Sequence, residues 1–478
     1  MKNKTHSAQR VATAAVMFAA LAGLTACDIK NELLQPQNPG IVDQTAVGSP
    51  SSAAALKIGA MGALKRVVSD PGPVGGFAGS SMWEASALMS DEFMNSDFQN
   101  SQNDVDARSI STDNQVSNYV RTTQARGYIR DAIAAENTFE PQKTADIGEL
   151  WMALGFIEMT LAENLCNGIP LGSSKAGQVD YSSPEFKPRT NAEVFQIAIT
   201  HFDSALTILG TSTATDAVVV RNATLIAKAR TLVDLGQFAA AAALVPSTTI
   251  TNSYQYVFIT QASSNSDDLG FWTLNNSIAR MSVGDSVVNY GGKQFQTLNA
   301  IPFASLNDPR VPILKGTDAK IPAEDGGQTP LFIQQVYKNR DDPIPMVSGI
   351  DARLIEAEAK LRAADYAGMM TILNALRTAP PKIGNFQPAT MAAIATTPAD
   401  KTTAENLFFR EKALWQFARG QRLSDLRRLV RQYGRAQNTV YPSGQQYKGV
   451  PYGSDTALPV PDAERVNPQF SGCIDKNA

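Results

Sequence analysis

The stretch ENLFFREKALWQFARGQRLSDLRRLVRQYGR, Glu405 to Arg435, decides how the chain is read. Leu407, Leu414 and Ala418 lie seven and then four residues apart. Beyond Gly420, the residues Leu423, Leu426, Leu429, Val430 and Tyr433 return at steps of one, three and four. That spacing predicts one buried stripe on a helix. The arginines fall largely between the stripe positions, so they read as a solvated or salt-bridged face. A nucleic-acid face is the alternative, and the rest of the chain argues against it.

The chain has 478 residues, 43% of them hydrophobic, which is enough for a large core or two domains. Its formal net charge is -3, and an acidic, exported chain is a poor partner for nucleic acid. Export is written at the N-terminus. Lys2, Lys4 and Arg10 precede the apolar run VATAAVMFAALAGLTA, Val11 to Ala26. The run is short and alanine-rich, as in the core of a signal peptide rather than a membrane span. It ends in LTAC, Leu24 to Cys27, which resembles the bacterial lipobox, where the cysteine thiol takes the acyl group and becomes the mature N-terminus. An ordinary secretory signal with a stray cysteine is the alternative. The following DIKNELLQPQNPGIVDQ is polar, with Pro36 and Pro39, and reads as a tether. Several acyl chains hold a protein durably where one does not. Asp28 leaves the leaflet open.

Cys166 and Cys473 remain in a compartment that permits disulfides. A bridge would tie the C-terminal tail to a distant helix end, with an entropic upper limit on the order of 4–5 kcal/mol. Two unpaired thiols are the alternative.

From about residue 51 to 245 the pattern is mostly helical. Helices are expected at Ser52–Val68, Asn114–Phe139 and Ala145–Leu171, the last with Gly168 and Pro170 as stop signals. Another is expected at Arg189–Leu209, with Thr190 and Glu193 close to a capping box. RNATLIAKARTLVDLGQFAAAAALV, Arg221 to Val245, and DARLIEAEAKLRAADYAGMMTILNALR, Asp351 to Arg377, share a pattern. In each, a helix rich in Ala and Leu ends, a short turn carries Phe238 or Tyr366, and a second helix follows. Such pairs stack into solenoids of the tetratricopeptide (TPR) kind. Between them, about 246–348, Ser, Asn, Asp, Gly and Pro rise and aromatics scatter, which predicts loops and short strands inserted in a helical frame.

Four features together resemble the SusD/RagB family of nutrient-binding outer-membrane lipoproteins. The first is the lipobox at Cys27. The second is ENLCNGIPL, Glu163 to Leu171, similar to the family's "yGdiPl". The third is GQRLSDLRRL, Gly420 to Leu429, like "GhRwfDLrRw". The fourth is LPVPDAERVNPQF, Leu458 to Phe470, like "iPipqsEi..NPnl". The chain departs from the family at Arg419 and Trp415, where glutamates are usual, and at Cys166–Gly168. The resemblance implies a mainly α fold, with a TPR-like helical solenoid carrying a large irregular insert of loops and short strands. It implies one domain over 51–478, after a signal peptide at 1–26 and a tether at 27–50. Within that domain the helical scaffold covers about 51–245 and 349–435, and a tail covers 436–478. Arg422, Asp425 and Arg428 become structural pins that hold the C-terminal segment to the solenoid.

Chemistry is sparse. His6 leaves with the signal, and His201 alone cannot build a multi-histidine metal centre. No nucleophile elbow, HExxH, CxxC or phosphate-binding glycine loop occurs. Asp91, Glu92 and Asp97 offer carboxylates, but a glycosidase needs a pair about 5–10 Å apart across a sugar. No cofactor, metal or catalytic residue is therefore expected. Sugar rings stack on aromatics, which makes Trp83, Phe93, Asn95, Phe271 and Trp272 the candidate ligand contacts, although each also suits a core. The implied function is capture of a nutrient, such as an oligosaccharide, at the cell surface. The implied partner is a TonB-dependent, SusC-like transporter barrel, with the lipid holding the chain to the outer membrane. A lipid-anchored glycosidase and a periplasmic TPR-type scaffold are the competing readings.

Overall fold

The computed structural model describes residues 48–70, 81–114, 116–173, 179–260 and 268–478, without the side chains of residues 116 and 117. The expected signal peptide, Cys27 and nearly all of the tether lie outside these residues. Helix α1 (Pro50–Val68) starts on a Ser49 cap, with Pro50 in the first turn where its missing N–H costs nothing. Helix α2 (Met82–Met89), strand β1 (Phe93–Asn95) and helix α3 (Asn100–Asp106) follow. Then come α4 (Val116–Phe139), α5 (Thr144–Asn164), α6 (Asn191–Leu209), α7 (Thr215–Asp234) and α8 (Phe238–Leu244). Past the insert lie α10 (Gly349–Arg362), α11 (Tyr366–Thr378), α12 (Lys401–Trp415) and α13 (Arg422–Arg431), with the single-turn α9 (Gly316–Ala319) inside the insert.

The long helices pack in succession: α1 on α4, α4 on α5, α5 on α6, α6 on α7, α7 on α8, α8 on α10 and α10 on α11. This is the TPR-like solenoid expected from the two A/L-rich hairpins, which appear as α7–α8 and α10–α11. Small residues set the closest approach. A Cβ on Gly155 of α5 would lie 2.8 Å from the Phe202 ring of α6, so only glycine lets these helices touch. Thr190 and Glu193 form the reciprocal cap of α6: the Thr190 N–H donates to Glu193 Oε2 at 2.7 Å, and the Glu193 N–H donates to Thr190 Oγ1 at 3.3 Å.

The insert supplies β2 (Gln255–Phe258), β3 (Met281–Val283), β4 (Val287–Tyr290), β5 (Lys293–Leu298), β6 (Ile313–Lys315), β7 (Phe332–Gln334) and β8 (Ile344–Ser348). They pair antiparallel as β1–β3, β2–β8, β6–β7 and β4–β5–β9, where β9 is Ser443–Gly444 of the tail. The insert is thus stitched to the N-terminal part by β1 and to the tail by β9.

Two expectations change. The stripe of Glu405–Arg435 spans two helices, α12 and α13. Ala418 and Gly420 between them have φ of 57° and 64°, a left-handed conformation that glycine adopts freely. A Cβ on Gly420 would sit 2.2 Å from Trp83 Cγ, so the break is where the chain passes a buried ring. Second, α5 stops at Asn164, before the expected Gly168 and Pro170. Leu165 turns extended and bridges Leu458 of the tail. Arg427 of α13 donates from Nη1 to the carbonyls of Ala162, Glu163 and Leu165 at 2.9–3.0 Å, satisfying the end of α5 that the early stop leaves open.

Four arginines of that stretch are inside rather than on a solvated face, while Arg410 and Arg431 are exposed. Arg419 and Arg427 have no exposed surface, Arg428 keeps 1% and Arg422 6%. Arg422 grips Asp91 with two bonds, 2.7 and 3.1 Å. Asp425 accepts from Lys412 Nζ and Arg428 Nη1, both at 2.7 Å. Arg428 also reaches Glu358, which accepts from the Tyr433 hydroxyl at 2.7 Å. Arg419 pairs with Asp351, on which Gln416 and Gln421 also converge at 3.0 Å. Burial would raise the Asp351 carboxyl, but Arg419 and these donors hold it below its ordinary range. Trp415, fully buried, lies 5.2 Å from the guanidinium of Arg310, which Glu411 clamps with bonds of 2.7 and 3.1 Å. These side chains tie α12 and α13 to α5, to α10 and to the Asp91 segment.

The tail closes the array. A disulfide joins Cys166 to Cys473 with Cα atoms 5.9 Å apart. Around it, the Leu458 N–H donates to Asn164 O and the Ile474 N–H to Asn167 O, both at 2.8 Å. Among the described residues, no helix is long and apolar enough to cross a membrane.

Candidate functional site

Of the five expected ligand contacts, four are interior. Trp83, Asn95 and Phe271 have no exposed surface and Phe93 has 1%. Trp83 sits on helix α2, which is capped by a Ser81–Glu84 box and buried at all eight positions. Trp83 packs 6.4 Å from Phe156. Phe93 is stacked between Phe271 and Phe417, with ring centroids 5.4 and 5.2 Å away. Trp272 is half-buried; its Nε1 donates to Lys338 O at 3.0 Å, and the Arg340 guanidinium lies 5.5 Å from its ring. These rings serve packing, so a ligand arriving from solvent meets other side chains.

Asn95 leads to those side chains. Its Nδ2 donates to Asn103 Oδ1 at 2.7 Å and to Asp97 O at 3.1 Å. Its carbonyl accepts from the Tyr447 hydroxyl, and its N–H donates to Asp106 Oδ2 at 2.7 Å. Lys448 Nζ adds bonds to the same two acceptors, Asp97 O at 2.6 Å and Asn103 Oδ1 at 2.8 Å. Asn95 therefore fixes, from beneath, the loop between β1 and α3. Phe98 projects from that loop and is 65% exposed. Beside the anchor, Met94, Val288 and Tyr447 form a small apolar cluster separate from the main core. The half-buried Tyr290, Phe295 and Phe332 pack on it, with Tyr290 edge-on to Tyr447 at 5.8 Å. Hairpin β4–β5 supplies Tyr290 and Phe295, and β7 supplies Phe332.

The result is a ledge of rings edged by Lys448 and Asn103. Ring faces stack on the apolar C–H faces of sugars, and amide and ammonium groups bond hydroxyls. Asp106 beneath is pushed up to about 6 by burial, against the bonds from Asn95 N–H and Tyr447. Lys448 is lowered by burial, which Asp106, Asp325 and Asp97 oppose.

The carboxylates singled out for acid–base chemistry are occupied by the fold. Asp91 is held by Arg422. Glu92 is fully buried, with Oε1 accepting from the Ala418 N–H at 3.1 Å. Asp97 is buried and accepts from the Phe98 N–H at 2.6 Å. His201 Nδ1 lies 2.6 Å from Glu158 Oε2. Among the described residues, no three His, Cys, Asp or Glu side chains converge as metal ligands. Phe98 and Tyr290 escaped the sequence reading. Phe98 sits in Ser96-Asp97-Phe98-Gln99-Asn100, and those polar flanks mark an exposed ring.

Comparison with protein-family models and with curated proteins gives no match. Solved structures do match, along nearly the whole chain. A SusD-like carbohydrate-binding protein from Bacteroides fragilis NCTC 9343 is 14% identical, with a TM-score of 0.60 over 89% of this chain and 99% of its own. A SusD superfamily protein from Parabacteroides distasonis ATCC 8503 is 14% identical, with a TM-score of 0.60 over 88% and 98%. A laminarin-binding SusD-like protein is 15% identical, with a TM-score of 0.57 over 89% and 99%. A match over nearly nine tenths of this chain and almost all of each neighbour gives this chain the fold of these SusD-like proteins.

Proposed function

We propose that this chain is a SusD/RagB-type lipoprotein that captures a glycan at the outer membrane and delivers it to a TonB-dependent transporter. In this reading residues 1–26 are removed, Cys27 carries the lipid, 27–50 is the tether and 51–478 is the binding domain. The carrying observation is the shared fold over nearly all of the chain and of the carbohydrate-binding structures it resembles. The ledge of Tyr290, Phe295 and Phe332, with the exposed Phe98 on the loop that Asn95 fixes, supplies stacking surface for sugar rings, with Lys448 and Asn103 for hydroxyls. Binding without turnover is the reading because Asp91, Glu92 and Asp97 are tied into the interior. The candidate contacts move accordingly: Phe98 and Tyr290 meet the ligand, and Asn95 positions the loop. Calorimetric titration with a glycan panel that includes laminarin tests this. Saturable binding without release of reducing ends is expected. Hydrolysis of a glycan, or no binding across the panel, would overturn it. For the anchor, Cys27→Ala is expected to leave the fold intact and release the chain from the membrane fraction; continued retention would contradict it.

A further inference from the structure

A second cavity opens on the helical side, between α4, α5, α6 and the segment before α6. Its volume is about 290 Å³, suited to a ligand smaller than those that fill pockets of roughly 300–1,000 Å³. One wall is apolar, with the half-buried Trp151 and Ile197, and Trp151 stands 5.3 Å from the His201 ring. The other wall is cationic, and its charges are not equally matched. Arg126 Nε bonds Glu158 Oε1 at 2.9 Å. Arg130 bonds Glu185 at 2.8 and 3.2 Å and Ser173 at 2.7 Å. Arg189 has no such partner: no carboxylate lies within ion-pair distance of it among the described residues. Its Nη2 donates only to Pro184 O, at 3.2 Å, and its buried Nε has no acceptor. The neighbouring Glu193 is engaged by Thr190 in the helix cap. The Arg189 backbone is clamped to Ile169 in both directions, at 2.9 and 3.1 Å, so the guanidinium leaves a fixed base.

We propose that this cavity binds an acidic sugar unit, a hexuronate, with its ring against Trp151 and its carboxylate on Arg189. The ring takes the apolar wall. The carboxylate supplies the planar acceptor pair that a guanidinium bonds best. A neutral sugar would leave Arg189 unmatched, and a bare anion would leave Trp151 uncovered. The proposal goes beyond glycan capture at the ledge, because none of the ledge rings lines this cavity.

The test titrates the mature full-length chain with D-glucuronate, D-glucose and inorganic phosphate. Glucuronate is expected to bind at least tenfold more tightly than either, as a charge-assisted pair implies. Arg189→Gln is expected to remove that preference, Arg189→Lys to keep part of it, and Trp151→Leu to weaken glucuronate binding. Phe98→Ala should leave glucuronate binding unchanged, so the two sites fail separately. Glucose or phosphate binding as tightly as glucuronate would overturn the proposal. So would an unaltered Arg189→Gln variant, or loss of glucuronate binding in Phe98→Ala.

Discussion

The lock of α12–α13 and the ledge over β4–β5 are both rich in groups that bind things, yet they are used in opposite ways. In the lock, Arg422, Asp425 and Arg428 are buried, and each has a named partner. On the ledge, Phe98 is mostly exposed, and what is fixed is the loop beneath it. Matched charge inside holds elements together; unmatched ring surface outside is free for a ligand. The same contrast separates Arg130, already paired, from Arg189, which is not.

The largest expected effect comes from breaking the lock. Arg422→Ala leaves Asp91 buried without its fork, at a cost of about 3–5 kcal/mol. Removing Asp91 as well should return part of that, because much of the cost is the orphaned charge. A double variant that loses the sum of the two single losses, measured by denaturant unfolding, would show that the pair carries no coupling. Next comes the Cys166–Cys473 bridge. Replacing both cysteines with alanine is expected to cost about 2–4 kcal/mol, since the bond closes a loop of 307 residues. An unchanged unfolding midpoint would mean that hydrogen bonds such as Leu458 N–H to Asn164 O and Arg108 Nη1 to Pro442 O hold the tail without the bridge.

The ledge should answer in the other currency. Phe98→Ala is expected to shift stability by less than about 0.5 kcal/mol, as an exposed side chain should. Glycan affinity should nonetheless fall roughly tenfold, the loss typical of an important interface aromatic. A variant that loses stability but keeps affinity would reverse the assignment of the two regions.

The broadest effect is one of pH. Burial pushes Glu84 and Glu92 up to about 8, and Asp106 up to about 6. Each therefore holds its proton more tightly folded than unfolded. The stability gained this way is complete at low pH. It is lost as pH rises, through about 6 for Asp106 and about 8 for the two glutamates. The unfolding midpoint should decline from about pH 5 to about pH 9. Glu92→Gln, which keeps an acceptor for the Ala418 N–H, should flatten the decline. An unchanged pH profile in that variant would remove Glu92 from the account.

Much of the scaffold was legible because its signals are local. The Thr190–Glu193 cap and the alanines of α7–α8 and α10–α11 act over a few residues, and helices formed where they pointed. Ser81 and Glu84 carried a cap signal of the same kind, which would have placed Trp83 on a buried helix. What local pattern could not give was the company each residue keeps. Arg427 caps a helix end more than 260 positions away, so nothing beside it marks its role. Phe93 and Phe98 are five positions apart in one run, yet one is stacked between two rings and the other faces solvent. Their difference lies in the β1–β3 pairing, which puts Phe93 against the core and ends before Phe98.

The central claim is that this chain works as the binding partner of a transporter. The most direct measurement is to tag its C-terminus, solubilise membranes gently and identify what copurifies. The account expects a large TonB-dependent barrel in near-equal amount. Recovery of the chain alone, under conditions that preserve known barrel complexes, would contradict it.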